Sequence, residues 1–386
     1  MRTVAVVTAG RSDYSIYRPI LKKINQDADL SLFLITTGTH LSHEFGMTVE
    51  VIESDGFTIS SKVDMLLSSD TPASISKSIG IGIIGFSQLY ADNTDIDLIL
   101  VLGDRFEMLS AVLSALPFNI PIAHIHGGES TFGLIDESIR HSISKMSHVH
   151  FTSTEEYRSR LIQMGEEPWR ILTTGAPALD NLHEISLHDQ EQLSEEVGFN
   201  LAIPFLLATF HPVTLAYKDT EEHITALLSA LERIQSNVIF TYPNPDTSSS
   251  QIINAINHYT SKNTNSKCLT NLGVEKYFSL MAYASAMVGN SSSGIIEAAS
   301  FGLPVVNIGD RQSGRFHGAN VINAPCSDIA IEAAIQKATD PRFRHQIKDM
   351  ANPYGNGSAS EHIVSHIKSL DLSQDLIMKK FHTIDI

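Results

Sequence analysis

The sequence predicts an α/β protein with two doubly wound domains, and three observations support this prediction. Short apolar runs of strand length alternate with stretches of helical periodicity, which is typical of βαβ units and a parallel sheet. The alternation occurs in two series, separated by a polar, acidic stretch at residues 176–201. The chain of 386 residues is also long enough for two domains of ordinary size.

The first series accounts for the N-terminal part of the chain. Its apolar runs lie at residues 4–7, 32–35, 98–102, 120–125 and 149–152. After the first run, Tyr17, Ile20, Leu21 and Ile24 fall at helical spacing. Residues 1–175 are therefore expected to form an N-terminal Rossmann-like domain.

The second series repeats the pattern after the acidic stretch. Its apolar runs lie at residues 204–210, 238–242, 286–288 and 304–308. Residues 352–355 (Asn-Pro-Tyr-Gly) mark a break, and Ser360 can cap a last helix. We expect a C-terminal Rossmann-like domain at 176–358, followed by a helix and tail at 359–386 that pack back on the first domain. Ligands of such domains bind at the carboxyl ends of the strands, here in a cleft that both domains face.

The composition excludes several classes of function. A formal net charge of −16 argues against a general nucleic-acid binder, because such proteins present a basic surface to the phosphates. Cys268 and Cys326 have no metal-like spacing and are too few for a disulfide framework. No apolar run reaches membrane-spanning length, and the first one is too short for a secretory signal. We expect a cytoplasmic protein with no membrane or nucleic-acid partner.

The most informative stretch is residues 288–297, where a strand end, a small-residue turn and a helix start follow one another. The turn contains Ser291, Ser292, Ser293 and Gly294. It offers hydroxyls and backbone N–H groups, and a helix N-terminus attracts anions. Glu297 lies about one turn further on, where a carboxylate could accept both hydroxyls of a ribose. The pattern favours a nucleoside diphosphate site, although glycine and serine are also common in ordinary connectors.

The segment after this stretch strengthens the interpretation. Another apolar run at 304–308 is followed by Arg311 and Arg315 in a glycine-containing loop. Guanidinium groups suit phosphate and sugar oxygens, and a loop after a parallel strand is where open sheets bind ligands.

Polar side chains also follow strands of the first domain. Arg11 and Asp13 lie in a tight turn after the first strand, where Asp13 could instead cap the next helix. Asp104 and Arg105 come just past the run at 98–102, where a local ion pair is an equal alternative.

The densest polar cluster spans residues 124–129 (His-Ile-His-Gly-Gly-Glu) and continues with Asp136, Glu137, Arg140 and His141. His124 and His126 lie on the same side of a strand, but no third ligand has a spacing that favours a metal. We favour Glu129 and Asp136 as acid/base groups that the histidines orient. His211 ends a strand of the second domain and either faces the same cleft or is a core histidine.

Taken together, the motifs resemble those of the hydrolysing UDP-N-acetylglucosamine 2-epimerases of sialic acid and legionaminic acid biosynthesis. The resemblance covers nearly the whole chain, and the ordered set is far more specific than any single motif. It rests on residues 10–13, 102–105, 124–129, 136–141, 209–212, 242–244, 289–294, 311–315 and 352–355.

The resemblance implies a glycosyltransferase-B-like fold with a UDP-sugar in the cleft. In the family reaction, loss of the C2 proton expels UDP and leaves a 2-acetamidoglucal. Water then adds at C1 while C2 is reprotonated on its opposite face, so that N-acetylmannosamine and UDP are released. No cofactor and no metal are implied, and the chain is expected to be a homodimer or homotetramer.

The family's site residues carry over motif by motif. Asp104, Glu129 and Asp136 become the acid/base carboxylates, without a decision on which removes the C2 proton, and His211 assists departure of the diphosphate. The implied substrate contacts are Arg11, Asp13, Arg105, His126, Asn244, Ser291, Ser292, Ser293, Gly294, Glu297 and Arg315. The uracil is expected near the main chain of residues 271–274.

One departure separates this chain from the non-hydrolysing branch. That branch reads His-Val-Glu-Ala-Gly at the central motif, where this chain has His-Ile-His-Gly-Gly-Glu at residues 124–129. That branch also has a lysine shortly after the first arginine, where this chain has Ile16. The difference favours the hydrolysing reaction. It leaves two substrates open, UDP-N-acetylglucosamine and UDP-2,4-diacetamido-2,4,6-trideoxyglucose. A glycosyltransferase and a non-catalytic nucleotide-sugar sensor are the alternatives from other classes.

Overall fold

The chain forms two compact units in a computed structural model that describes residues 1–69, 71–132, 134–213, 218–243, 248–270 and 272–384. Unit 1 comprises Met1–Glu129, Asp136–Asn181 and Tyr354–Ile386, and unit 2 comprises Ser130–Ile135 and Leu182–Pro353. Each unit is built on one parallel sheet with interleaved helices. The predicted α/β class with two Rossmann-like domains is therefore confirmed.

Unit 1 contains a seven-stranded sheet. Its strands are β1 (Arg2–Thr8), β2 (Leu30–Thr37), β3 (Ser61–Val63), β4 (Leu98–Leu102), β5 (Ile122–Ile125), β6 (Val149–Thr152) and β7 (Ile171–Thr173). The strand order is β3-β2-β1-β4-β5-β6-β7, with all neighbours parallel. The order reverses between β1 and β4, which is the point where open sheets bind ligands.

Helices cover both faces of this sheet, so its central strands are continuously apolar. These helices are α1 (Arg11–Gln26), α2 (Val49–Ser54), α3 (Pro72–Asp92), α4 (Phe106–Ala115), α5 (Asp136–Met146) and α6 (Glu155–Gln163). Val4 and Leu98 belong to the core that contains α1, whereas Ala5 and Ile99 belong to the core that contains α3 and α4. This alternation follows the two-residue period of a strand.

Unit 2 contains a six-stranded sheet with the same design. Its strands are β8 (Phe205–Thr209), β9 (Asn237–Thr241), β10 (Ser266–Leu269), β11 (Ala286–Gly289), β12 (Val305–Ile308) and β13 (Val321–Ala324). Its order is β10-β9-β8-β11-β12-β13, all parallel, with the reversal between β8 and β11.

The helices from residue 181 onward are mostly those of unit 2. They are α7 (Asn181–Glu184), α8 (Gln190–Val197), α9 (Thr220–Ile234), α10 (Ser249–Lys262), α11 (Gly273–Tyr283), α12 (Ser292–Ile296), α13 (Asp328–Thr339) and α14 (Pro341–Ile347). None of the helices in the described ranges is long and apolar enough to cross a membrane.

The C-terminal segment returns to unit 1 as α15 (Ala359–Ser369) and α16 (Gln374–Ile377). Ile363, Val364 and Ile367 of α15 are buried in the same core as α1. The predicted cap, Ser360, lies inside the helix instead. Asp180 fulfils the capping role, since its carboxylate accepts from the backbone N–H groups of Ala359 (3.0 Å) and Ser360 (2.6 Å).

Candidate active site

Three acidic residues of unit 1 contact a single arginine of α5. The Arg140 side chain is only 1% exposed. Its guanidinium pairs with the Asp104 carboxylate and donates to the Glu129 carbonyl (3.0 Å) and to the Glu137 carboxylate (3.0 Å). Asp104 follows β4 and Glu129 follows β5, so Arg140 links the carboxyl ends of two neighbouring strands.

The Glu129 carboxylate is almost fully buried and is fixed by two side chains. Its Oε1 lies 2.6 Å from His126 Nδ1 and accepts from the Ser153 hydroxyl at 2.8 Å. His126 has a φ of 65°, a left-handed conformation that is unusual for a non-glycine residue. The loop backbone is also held by Arg160, which donates to the Gly128 carbonyl at 2.6 Å. Glu129 therefore sits in a rigid loop.

His124 supports the neighbouring loop from the interior of the sheet. Burial lowers the pKa of His124 to about 3, so its imidazole is neutral near neutral pH. Its Nε2 lies 2.8 Å from the Gly103 carbonyl, which can only accept, so Nε2 carries the proton and Nδ1 accepts from the Ser144 hydroxyl at 3.1 Å. His124 therefore fixes the backbone next to Asp104.

Within the described residues, no group of three histidine, cysteine or acidic side chains could hold a metal ion.

A second polar group lies at the ends of β1 and β4. Arg105 donates to both carboxylate oxygens of Glu107, at 2.8 and 3.2 Å, and Glu107 is fully buried. Asp13 accepts from the Ala9 backbone N–H at 3.2 Å, and burial raises its pKa. Arg105 therefore pairs with Glu107 rather than with Asp104, and Asp13 lies in the first turn of α1 rather than at its cap position. Arg11 is exposed, and Asp136 is the half-buried first residue of α5.

In unit 2, the turn after β11 requires its glycine. Gly289 has a φ of 135°, and a Cβ there would lie 1.9 Å from the Thr209 carbonyl oxygen. The next residue, Asn290, accepts from the His211 backbone N–H at 2.7 Å and donates to the His211 carbonyl at 2.8 Å. Asn290 therefore fixes the backbone of His211 beside this turn. Burial, reinforced by the neighbouring charge of Arg311, holds the pKa of His211 well below its usual value.

The serines of the turn form the start of α12. The Ser291 hydroxyl accepts from the Ser293 backbone N–H at 3.3 Å, so Ser291 caps the helix. Ser292 and Ser293 are half-buried, and Gly294 is buried against Val305. Desolvation raises the pKa of Tyr277 to about 12 despite hydrogen bonds to Ser293 and its neighbours, and the negative charge of Glu297 adds to this shift. Glu297 and the serines thus share one small polar region.

The arginine loop after β12 packs on the same turn. Arg311 and Gln312 both donate to the Asn290 carbonyl, at 3.1 and 2.9 Å. Arg315 is half-buried at the end of this loop. The Phe132 backbone N–H donates to the Ser313 carbonyl at 3.2 Å, and the Phe132 ring packs against Gly314. The loop is therefore held from two sides within unit 2.

Some site residues were not predicted, and two predicted positions are not described. The predictions missed Glu107, Ser153, Asn290 and Tyr277. The last three contact partners that are distant in sequence, which spacing along the chain does not reveal. Glu107 offered one signal, a carboxylate two residues after Arg105 in an otherwise apolar helix. Asn244 and Asn271, the latter in the predicted uracil segment, lie outside the described residues.

Comparison with known proteins identifies the family. The family model described as UDP-N-acetylglucosamine 2-epimerase matches residues 22–368. The chain is 40% identical over 345 residues to the GDP/UDP-N,N'-diacetylbacillosamine 2-epimerase (hydrolyzing) of Campylobacter jejuni, covering 89% of each chain. It is 35% identical to polysialic acid biosynthesis protein P7 of Escherichia coli, covering 100% of this chain and 98% of that one.

A solved structure shares the fold. The UDP-GlcNAc 2-epimerase of Neisseria meningitidis, bound to UDP-GlcNAc, matches with a TM-score of 0.82 at 18% identity, covering 95% of this chain and 99% of that one. Fold and family together define a nucleotide-sugar enzyme class. The chain belongs to the UDP-N-acetylglucosamine 2-epimerase family, and its relatives place it with the hydrolysing UDP-sugar 2-epimerases, which confirms the predicted family.

Proposed function

We propose that this chain converts UDP-N-acetylglucosamine and water into N-acetylmannosamine and UDP. One observation carries the proposal: Asp104 and Glu129, on neighbouring strand ends, are both fixed by buried partners. The C2 proton of a 2-acetamido sugar is weakly acidic, so its removal needs a carboxylate held rigidly at the reacting carbon.

The reaction has two steps. First, a carboxylate takes the C2 proton, the C1–oxygen bond breaks, and the bonding electrons leave with UDP, which gives the 2-acetamidoglucal. Second, water adds its oxygen to C1, and a proton is delivered to C2 on the opposite face. Two acid/base groups are needed, one on each face, and Asp104, Glu129 and Asp136 are the proposed set.

Unit 2 supplies the proposed groups for the leaving UDP. Ser292, Ser293 and Gly294 would bind phosphate oxygens, Glu297 the ribose hydroxyls, and Arg315 a sugar or phosphate oxygen. A neutral His211 can donate one hydrogen bond to the diphosphate as its charge develops. Fixed donors of this kind stabilise the departing charge without reorganisation.

A second substrate is favoured by one observation. The Campylobacter jejuni relative, at 40% identity, is named for N,N'-diacetylbacillosamine, a 2,4-diacetamido-2,4,6-trideoxy sugar. This sugar has the same C2 proton and the same kind of leaving group, so the same carboxylates would serve. It lacks the 6-hydroxyl and carries an acetamido group at C4. A pocket that hydrogen-bonds the 4- and 6-hydroxyls would discriminate by about 10⁴-fold or more.

The test is turnover without an acceptor sugar. Incubation with each UDP-sugar should release UDP together with a free 2-acetamido sugar of manno configuration, separated by chromatography. The ratio of kcat/KM for the two sugars then identifies the substrate. A requirement for an acceptor would indicate a glycosyltransferase, and tight UDP binding without turnover would indicate a sensor.

The setting of the reaction is part of the same proposal. N-acetylmannosamine would be supplied to sialic acid biosynthesis in the cytoplasm. The active species would be a homodimer or homotetramer, which sedimentation of the purified chain would test.

A further inference from the structure

We infer that Arg140 is a positioning residue for the proposed reaction, holding the Asp104 carboxylate and the Glu129 loop in a fixed mutual geometry. The inference rests on the proposed function. It goes beyond that function by assigning a role to a side chain that is not among the proposed acid/base or substrate-binding groups.

The geometry of Arg140 supports this role. Nη2 pairs with Asp104 Oδ2 after β4, while Nη1 donates to the carbonyl of Glu129 after β5. One planar group thus connects two loops from adjacent parallel strands. A shift of either loop would break a contact to the other.

Glu137 orients the guanidinium from one helical turn away. Its Oε2 accepts from Arg140 Nη1 at 3.0 Å, and its Oε1 lies 3.0 Å from His141 Nε2. Glu137, Arg140 and His141 all belong to α5, so a packed helix sets the direction of the guanidinium.

The chemistry requires arginine rather than a generic cation. Guanidinium presents donors in a rigid planar fork, whereas a lysine ammonium is a compact charge on a flexible stem. At a buried site, a lysine could replace the charge but not span three oxygens on two loops and a helix. The conservative substitution therefore separates geometry from charge.

A purely structural role is the competing explanation, and the chain contains a matched control for it. Arg170 is also 1% exposed and also lies in unit 1. It pairs with Glu167 and donates to the carbonyls of His148 and Leu376, away from Asp104 and Glu129. Loss of the Arg170 side chain should lower the stability of the fold, as loss of a buried arginine generally does. It should leave the contacts of Asp104 and Glu129 unchanged.

The experiment compares Arg140→Lys, Arg140→Met and Arg170→Met with the wild-type chain. It measures kcat and KM for UDP-N-acetylglucosamine and the diacetamido sugar, the Kd for UDP, and the melting temperature. We expect Arg140→Lys to melt close to wild type and to bind UDP within about twofold. Its kcat should nevertheless fall by about 100-fold, because a small misplacement of a reacting group has an effect of that order.

The controls make the outcomes distinguishable. Arg170→Met should lower the melting temperature while keeping kcat within about threefold of wild type. A normal kcat in Arg140→Lys, or a loss of kcat in Arg170→Met as large as that in the Arg140 variants, would overturn the positioning role. If wild type itself turns over neither UDP-sugar, the proposed function fails instead.

Discussion

The two units of this protein build their polar sites by different means. In unit 1, Asp104 and Glu129 are fixed by other side chains, through Arg140, His126 and Ser153. In unit 2, the turn after β11 is fixed by backbone geometry, through Gly289 and the hydrogen bonds of Asn290.

The difference corresponds to two kinds of function, acid/base chemistry and diphosphate binding. Acid/base chemistry depends on the position and charge of a few side-chain atoms, so side chains must hold them. Diphosphate binding can use backbone N–H groups and hydroxyls in a turn, so the backbone conformation carries the specificity. Substitutions in unit 1 should therefore affect turnover, and those in unit 2 should affect folding or UDP affinity.

The largest effect is expected from Glu129→Gln. The change keeps the shape of the side chain but removes its basicity, so kcat should fall by about 10³-fold. Ser153→Ala, which removes one hydrogen bond to Glu129, should lower kcat by only about tenfold. Calorimetric titration should give the same UDP affinity for wild type and both variants. A matching loss of UDP affinity would show that Glu129 maintains the fold rather than the chemistry.

Gly289→Ala should have the next largest effect, on stability. Its Cβ would lie 1.9 Å from the Thr209 carbonyl oxygen, in the pairing between β8 and β11. We expect the free energy of unfolding to fall by about 3 kcal/mol or more, measured by urea denaturation.

Gly273→Ala provides the matched control for this glycine. Gly273 also has a positive φ, of 70°, but a Cβ there meets no atom within 4 Å. It should cost only about 1 kcal/mol, from backbone strain alone. Equal effects at the two glycines would contradict the steric explanation.

The neutral His124 gives a pH-dependent prediction of intermediate size. Its pKa is lowered from 6.5 to about 3, so the unfolded chain takes up a proton at a higher pH than the folded chain. Its contribution to stability is complete above about pH 6.5 and is lost progressively as the pH falls toward 3. Over this range it amounts to a few kcal/mol.

The measurement is a series of urea midpoints between pH 7 and pH 4. Buried His148, whose pKa is lowered to about 4, adds a loss in the same direction. His124→Gln should therefore flatten the curve without abolishing its slope. Wild-type and variant curves that run parallel would show that His124 does not contribute.

Glu297→Ala should have the smallest effect, and that effect should be confined to the affinity for UDP. Loss of the proposed hydrogen bonds to the ribose should weaken UDP binding by about tenfold, with kcat at saturating substrate nearly unchanged. Direct titration with UDP and steady-state kinetics would measure the two quantities separately. A drop in kcat with normal UDP affinity would show that Glu297 takes part in the chemical step rather than in UDP binding.

The central strands were predictable, whereas the sheet edges were not. Strands such as β4 are buried on both faces, so their sequences are continuously apolar. The predicted run at 120–125 begins later, as β5 at Ile122, because Pro121 has no N–H to donate to the ladder. The edge strands β3, β7, β10 and β13 were missed, since each is only partly buried and is not continuously apolar, and two of them carry a lysine.

The candidate site was predictable only in part, for a related reason. Parallel strands end at one edge, so residues such as Asp104 and Glu129 could be grouped from their positions alone. Their partners depend on how α5 and the loop after β6 pack, which local sequence does not specify. Arg140 was noted as part of a polar cluster, but its simultaneous contact with two strand ends emerges only in three dimensions.

The most direct test of the central claim is a proton NMR time course with UDP-N-acetylglucosamine, and in parallel the diacetamido sugar, in heavy water. If a carboxylate of unit 1 removes the C2 proton, the released manno-configured sugar must carry deuterium at C2. UDP release that leaves the original hydrogen at C2 would contradict the account, because the sugar would then have been hydrolysed without elimination.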